Sequence, residues 1–207
     1  MTPAPFSVPD VLRDKRIAVV DVEGNGYDDI IEIAVLLLDH PALDADSIRS
    51  WLVRPPRPIR PLVTRKVHGI RDIDLADCPP WSAVEPSVAT LLSDRILVAH
   101  NASVEHRVLT AHLPAWRPAL VLDTLRLAKA VWPGLPRYGL DTLIGHAGLD
   151  PGAVDGNGYH RAGYDTVATA RLLCRLVEDA APCWDDLVDT AALPEFVPVT
   201  QPEDGLW

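Results

Sequence analysis

Between Arg16 and Asp39 the chain reads RIAVVDVEGNGYDDIIEIAVLLLD, two apolar runs around an acidic, glycine-punctuated centre. Short runs of apolar, largely β-branched residues predict buried strands, here IAVV and DDIIEIAVLLLD, with Gly24-Asn25-Gly26 breaking between them. SIRSWLVRP reads as a third strand. Three sequential strands without an intervening helix predict an antiparallel meander. Beyond Pro80 the period changes. WSAVEPSVATLLSD and SVEHRVLTAHL carry apolar residues at helical spacing and flank the strand RILVAH; the strand ALVLD then precedes helices near TLRLAKAVW and GLDTLIGHAGL. The last strong helix is RAGYDTVATARLLCRLVEDA, whose Val167, Ala170, Leu173, Leu176 and Val177 fall on one face. Three strands, a strand and helix alternation and a long closing helix describe a mixed sheet with helices packed on it, an α/β domain.

Length and composition then narrow the class. A chain of 207 residues, 48% hydrophobic, buries a proper core as one domain. The pattern divides it into an N-terminal extension 1–15, a domain 16–180 and a C-terminal segment 181–207, rich in proline and acid and expected to be a partly ordered tail. No apolar stretch is long enough for a membrane span, and MTPAPFSVPDVLRDK lacks the regions of a signal peptide, so the expected setting is cytoplasmic and away from membranes. Cys78, Cys174 and Cys183 are far apart and odd in number, which argues for neither a disulfide framework nor a structural zinc site. Nineteen Lys and Arg against 29 Asp and Glu leave a formal charge of −10, which argues against a protein that coats nucleic acid by bulk electrostatics. A polyanionic substrate would need a local basic surface or bound metal. One basic run exists in RPPRPIRPLVTRKVHGIR, residues 54–71, read on its own as a solvated, proline-stiffened loop.

Three places carry candidate chemistry. Asp21 and Glu23 follow the first strand, and strand alternation turns both to one face, where their repulsion calls for a cation. LVAHNASVEHRVL sets His100, Asn101 and Glu105 where an apolar strand passes into a helix, the part of an α/β sheet where ligands sit; the plainer account makes Asn101 or Ser103 a helix cap and Glu105 a dipole partner. YHRAGYDTVATARLL places His160 and Asp165 at the start of the long helix, about one turn apart. Each is commonplace alone. Together, four carboxylates and an imidazole would make a two-metal hydrolytic centre.

The ordered series VVDVEGNG…IIEIA, VTRKVHGI, LVAHNASVEHRVL, LDTLRLAKAVWPGLPRYGLDTL and HRAGYDTVATARLL resembles the DEDDh family of 3′–5′ exonucleases over roughly residues 16 to 178. The resemblance implies an RNase H-like fold with a five-stranded mixed sheet, its second strand antiparallel, and helices on both faces. It implies two Mg²⁺ or Mn²⁺ held by Asp21, Glu23, Glu105 and Asp165, with His160 as general base, an imidazole being suited to take a proton near neutral pH. The implied substrate is single-stranded nucleic acid with a free 3′ end, DNA or alternatively RNA. Gly24, Asn25, Gly26, His68, Gly69 and Ile70 would lie against the terminal nucleotide, the apolar Ile70 wedging near the last base. His100 and Asn101 would stand near them, and Arg65 and Lys66 beside the strand path. Arg161 stands where the tyrosine branch of the superfamily would need Tyr, so the histidine branch fits.

Two departures stand out. The family's second block is normally H-N-x-x-F-D, whereas this chain has Val104 and Glu105, and Gly24-Asn25-Gly26 replaces the usual Thr after D-x-E. The longer carboxylate keeps the charge but could shift a metal by about an ångström, which catalysis feels. The competing reading is therefore a catalytically weak nucleic-acid-binding or adaptor protein of the same fold. VTQPEDGLW at the end is a candidate docking peptide for a polymerase or another nucleic-acid-processing partner, against the simpler account of a frayed terminus.

Overall fold

The computed structural model describes residues 6–39, 42–43, 48–152 and 160–197. Five strands form the main sheet: β1 (Ile17–Gly24), β2 (Ile30–Leu37), β3 (Ile48–Leu52), β4 (Ile96–Ala99) and β5 (Val121–Asp123). Their order is β3-β2-β1-β4-β5. The meander read from the sequence forms β1–β2–β3 with antiparallel pairing, and the crossovers through helices make β4 and β5 parallel to β1, so β2 alone runs against the rest. Phe6–Ser7 and Ala42–Leu43 pair as a separate two-stranded ladder, and Asp10–Arg13 is one helical turn.

Helices cover both faces because the central strands are apolar on both sides. One face of the sheet, including Ala18, Val20, Val35 and Leu97, packs against α2 (Trp81–Leu92) and α3 (Ser103–His112) through Val84, Val88, Leu92 and Leu109. The opposite face, including Ile17, Val19, Leu36 and Val98, packs against α4 (Thr124–Val131), α5 (Leu140–Ala147), α6 (Ala162–Ala180) and α7 (Trp184–Ala191). The expected stripe Val167, Ala170, Leu173, Leu176 and Val177 of α6 is buried in this core. Each large aliphatic side chain buried there stabilises the fold by roughly 1.5–3 kcal/mol.

Two segments are more ordered than their composition suggested. Within the basic run, Pro61–Lys66 forms helix α1, begun by Pro61, whose fixed φ and missing N–H suit a first helical position. Within 181–207, α7 is opened by Cys183 and Asp186, which bond reciprocally to each other's backbone N–H, and Leu187, Ala191, Ala192 and Leu193 are buried. This segment extends the core through residue 193 and ends its described part in a 3₁₀ turn, Pro194–Phe196. The candidate docking peptide at 199–207 lies outside the described residues. Among the described residues no helix is long and apolar enough to cross a membrane.

Candidate active site

The acidic pair sits at the end of β1, where Asp21 faces Ala34 and Glu23 faces Glu32 across the β2 ladder; the register shifts between Glu23 and Gly24, a bulge of the kind that re-aims side chains beside functional clefts. Beside β1, the parallel strand β4 ends at Ala99, and the chain turns through Asn101 into α3, whose first turn carries Glu105. The N-terminus of α6 brings Asp165 and, just before the helix, His160. One ligand atom each from Glu23, His160 and Asp165 lies within 4.8 Å of the others. Asp21 completes the group electrostatically, since Glu105, Asp165 and Glu23 all act on its carboxylate.

Packing four carboxylates this closely without counter-charge is costly. Burial pushes Glu23 to about 8, helped by Asp165 and Glu32. Burial, with Asp123 and Glu23 adding to it, likewise raises Glu105 to about 8. Asp165 rises to about 6, burial outweighing the hydrogen bond from the His160 N–H. Asp21 is held well above the ordinary carboxylate range by burial and then by Glu105, Asp165 and Glu23. Glu105 Oε2 and Asp165 Oδ1 are buried and accept no hydrogen bond among the described residues. A buried carboxylate oxygen with no donor is a strong penalty unless a cation takes it. Oxygen donors of this number and hardness fit Mg²⁺ or Mn²⁺, so the residues present suit the expected metals. The Glu105 carboxylate acts on Asp21 and is itself acted on by Glu23.

Several groups that hold this geometry were missed by motif reading. Glu32, buried in the middle of β2, accepts from Arg161 Nε and Nη2 at 2.9 Å each and from the Ala162 N–H at 3.2 Å. That bidentate pair ties the residue between His160 and α6 to the sheet, opposite Glu23. His160 has φ +61°, and its N–H donates to Asp165 Oδ2 at 3.0 Å, so the imidazole is displayed at a fixed turn. A signal for Glu32 existed in IIEIA: a lone charge inside an apolar strand must be buried and paired. Asp123 Oδ1 accepts from the N–H groups of Leu125 and Asn101, capping α4 and fixing the positive-φ turn that launches α3. Neither Asn101 nor Ser103 caps α3 by side chain, since that helix shows no side-chain cap bond.

The expected substrate contacts divide. Gly24 and Gly26 line a cleft of about 220 Å³ beside Glu23, walled by Tyr27, Val63 and Val104. At Gly26, φ is +81° and an added Cβ would lie 2.6 Å from Val63 Cγ2, so glycine lets the loop lie against α1. Asn25 differs from expectation: it is fully buried, donates to Asp29 Oδ2 and Arg57 O, and accepts from the Tyr27 N–H, which leaves it a loop brace. His68 is also internal. Its Nδ1 accepts from the Ile70 N–H, and its Nε2 lies 3.2 Å from Gly24 O, clamping the two loops together. Ile70, expected as a wedge at the last base, packs with Ile31, Ile59 and Leu75 and, with His68, Gly69 and Arg161, lines a second cavity of about 200 Å³. His100 has both ring nitrogens engaged, with Thr124 Oγ1 and Tyr138 O, and so supports the loop after α4. Gly69 (φ +73°), Asn101 and Lys66 are exposed; the Arg65 side chain lies outside the described residues.

The profile of the RNase_T family, described as Exonuclease, matches residues 18–173. Exodeoxyribonuclease 10 of Escherichia coli (strain K12) is 31% identical over 184 residues, covering 87% of this chain and 77% of that protein. The PolC-type DNA polymerase III of Bacillus subtilis (strain 168) is 32% identical over 182 residues, covering 83% of this chain, which spans only 12% of that much longer protein. Among solved structures, exonuclease X in complex with 5′ overhanging duplex DNA superposes with a TM-score of 0.69 at 30% identity, covering 84% of this chain and 98% of its own.

Proposed function

This chain belongs to the RNase_T exonuclease family, and we propose that it removes nucleotides one at a time from the 3′ end of single-stranded DNA, releasing nucleoside 5′-monophosphates with two Mg²⁺ or Mn²⁺. The observation that carries this reading is the buried carboxylate cluster with two oxygens, Glu105 Oε2 and Asp165 Oδ1, that accept no hydrogen bond among the described residues. Asp21, Glu23, Glu105 and Asp165 would hold the metals. When bound, divalent cations supply positive charge against these carboxylates and the scissile phosphate.

The chain's own residues do the rest. His160, displayed at its turn within 4.8 Å of Glu23 and Asp165, takes the proton of the attacking water. The water oxygen bonds to the phosphorus of the terminal nucleotide as the bond from phosphorus to the 3′-oxygen of the preceding nucleotide breaks; that oxygen takes a proton from solvent to become the new 3′-hydroxyl, and the product keeps its 5′-phosphate. Arg161, gripped by Glu32, and the His160 N–H bond to Asp165 keep the base and a metal ligand in register. Gly24 and Gly26 let the backbone approach the terminal nucleotide in the cleft beside Glu23. Exonuclease X bound to DNA supports a DNA strand as the substrate, and kinship with DNA polymerase III proteins supports a polymerase as a partner.

The test is incubation of 5′-labelled single-stranded DNA and RNA with Mg²⁺, Mn²⁺ or EDTA, beside an Asp21→Ala control. A metal-dependent ladder shortening from the 3′ end of DNA, absent from the control, is the expected result. Shortening of RNA alone would replace DNA by RNA as the substrate. Intact label in every lane, with the protein folded, would refute the hydrolytic reading and leave a binding protein.

A further inference from the structure

The loop after β1 carries an aromatic ring that the chemistry above does not use. Tyr27 is 45% exposed, and the guanidinium carbons of Arg60 and Arg57 lie 3.9 and 4.6 Å from its ring centroid. Two cations beside one ring in an exposed loop need a reason, given the cost of ordering long side chains. The surroundings show how far the arrangement is pre-set. Buried Asn25 binds the Tyr27 N–H, Asp29 and Arg57 O through its side chain, and its own carbonyl accepts the Arg60 N–H at 3.0 Å. Gly26 lies so close to the Arg60 stem that an added Cβ would stand 3.0 Å from Arg60 Cδ. The residues at 25–29 and 57–60 therefore form one stiff unit.

The two arginines differ in what they leave available. Arg57 Nε pairs with Asp29 Oδ2 at 2.8 Å, so its charge is matched. Arg60 has no carboxylate in ion-pair reach among the described residues, and its exposed guanidinium meets only the Tyr27 ring. Tyr27 and Gly26 also line the cleft that begins at Glu23. A cation with no carboxylate in ion-pair reach among the described residues thus lies on Tyr27, one of the residues that line this cleft together with Glu23, Asp28, Asp29 and Arg107, in a chain of net charge −10.

We propose that Arg60, held in place by Tyr27, Gly26 and the Asn25 network, is a phosphate grip for the substrate strand, binding a phosphodiester that neighbours the scissile one. The inference rests on the nucleic-acid substrate proposed above and adds which residue draws the strand in. A guanidinium offers paired N–H donors that match phosphate oxygens, and stacking on an aromatic ring holds its plane while leaving its N–H edge for the ligand. The grip opposes the repulsion that the four carboxylates exert on an incoming phosphate backbone. It acts on binding and not on the bond-breaking step.

The test is fluorescence anisotropy of a 5′-labelled single-stranded oligonucleotide in EDTA, titrated between about 50 and 200 mM salt, where counterion release reports phosphate contacts. Arg60→Gln keeps the stem against Gly26 and removes the charge. Its expected effect is a slope of log K against log salt shallower by about 0.7, the value of one single-strand phosphate contact. Arg175→Gln removes the same charge from α6, ten residues and about 15 Å along the helix from Asp165, and serves as the control. Arg60→Lys should restore the slope, and Tyr27→Ala should lose part of it while circular dichroism stays that of the folded chain. In turnover with Mn²⁺, Arg60→Gln should raise KM several-fold at unchanged kcat. An Arg60→Gln slope equal to that of Arg175→Gln overturns the proposal, as does wild-type protein that retains no oligonucleotide in EDTA at the lowest salt. Because the slope is read without metal or turnover, it fails or holds separately from the hydrolysis proposed above.

Discussion

Replacing Glu23 by glutamine keeps the side chain's shape and removes one charge from the cluster, so it isolates the electrostatic strain. Glu23 stands at about 8 in the fold against 4.5 for the free group, mainly through burial. A folded value raised above the unfolded one means that the stabilisation belongs to the protonated form. It is fully present below about pH 4.5 and is lost as the pH rises through about 8. At 1.36 kcal/mol per pK unit, a single such site costs the metal-free fold about 4 kcal/mol at pH 8 and under about 1 kcal/mol at pH 5. Asp21, Glu105 and Asp165 belong to the same group of interacting carboxylates, and protonation of one relieves another. The expected gain of Glu23→Gln over wild type, in EDTA, therefore grows by about 2–3 kcal/mol between pH 5 and pH 8. For a domain of this size that corresponds to roughly 4–12 °C in Tm. Scanning calorimetry of both proteins at the two pH values measures it. Addition of Mn²⁺ should reverse the order, stabilising wild type far more than the variant, since the variant lacks one charge of the proposed metal site. A stability difference that stays constant between pH 5 and pH 8 would refute the reasoning.

Three further outcomes follow from the same geometry. Glu32→Ala leaves Arg161 without its bidentate partner and should cost about 3–5 kcal/mol by urea unfolding, whereas Arg161→Lys, which keeps the charge, should retain most of the stability yet lower kcat with KM little changed; equal stability losses in the two variants would count against the pair as a positioning device. Gly26→Ala meets both a positive φ and the 2.6 Å approach to Val63 Cγ2, and a loss of about 1–3 kcal/mol is expected, with weaker oligonucleotide binding as the loop shifts. Leu187→Ala in α7 should cost about 2–5 kcal/mol, the cost of truncating a fully buried leucine; a loss under about 0.5 kcal/mol would show that α7 adds little to the core.

How much was legible follows the range of each signal. The strands of the meander, the strand and helix alternation and the long helix α6 were readable because an unbroken apolar run or a helical stripe reports burial along a single stretch of chain. Helix α1 was hidden because Pro55, Pro56, Pro58 and Pro61 look like loop punctuation, although proline at the first turn is helix-compatible. Helix α7 was hidden because its acids outnumber its anchors; Leu187 and Ala191 are few, and they are buried by α4 and β5 rather than by anything near them in sequence. Asn25, His68, His100 and Ile70 are of types that suit substrate contact and internal support equally well, and only the tertiary structure shows the contacts they make, with Asp29, Gly24, Thr124 and the Ile31 cluster.

The sequence by itself determined the strands, the long helix and the ordered series of motifs. Asp21, Glu23, Glu105, His160 and Asp165 are the candidate site residues through the resemblance of that series to the exonuclease family, a signal read along the chain without coordinates. The tertiary structure alone decided what each group meets: that Glu32 faces Glu23 and is held by Arg161, and that, among the described residues, two carboxylate oxygens are buried without donors and Arg60 lies on Tyr27 with no carboxylate in reach. The physical reason is separation along the chain. Arg161 and Glu32 come together only when the sheet and α6 close on one another, and the energy of a charge depends on its neighbours in space, which local periodicity does not encode.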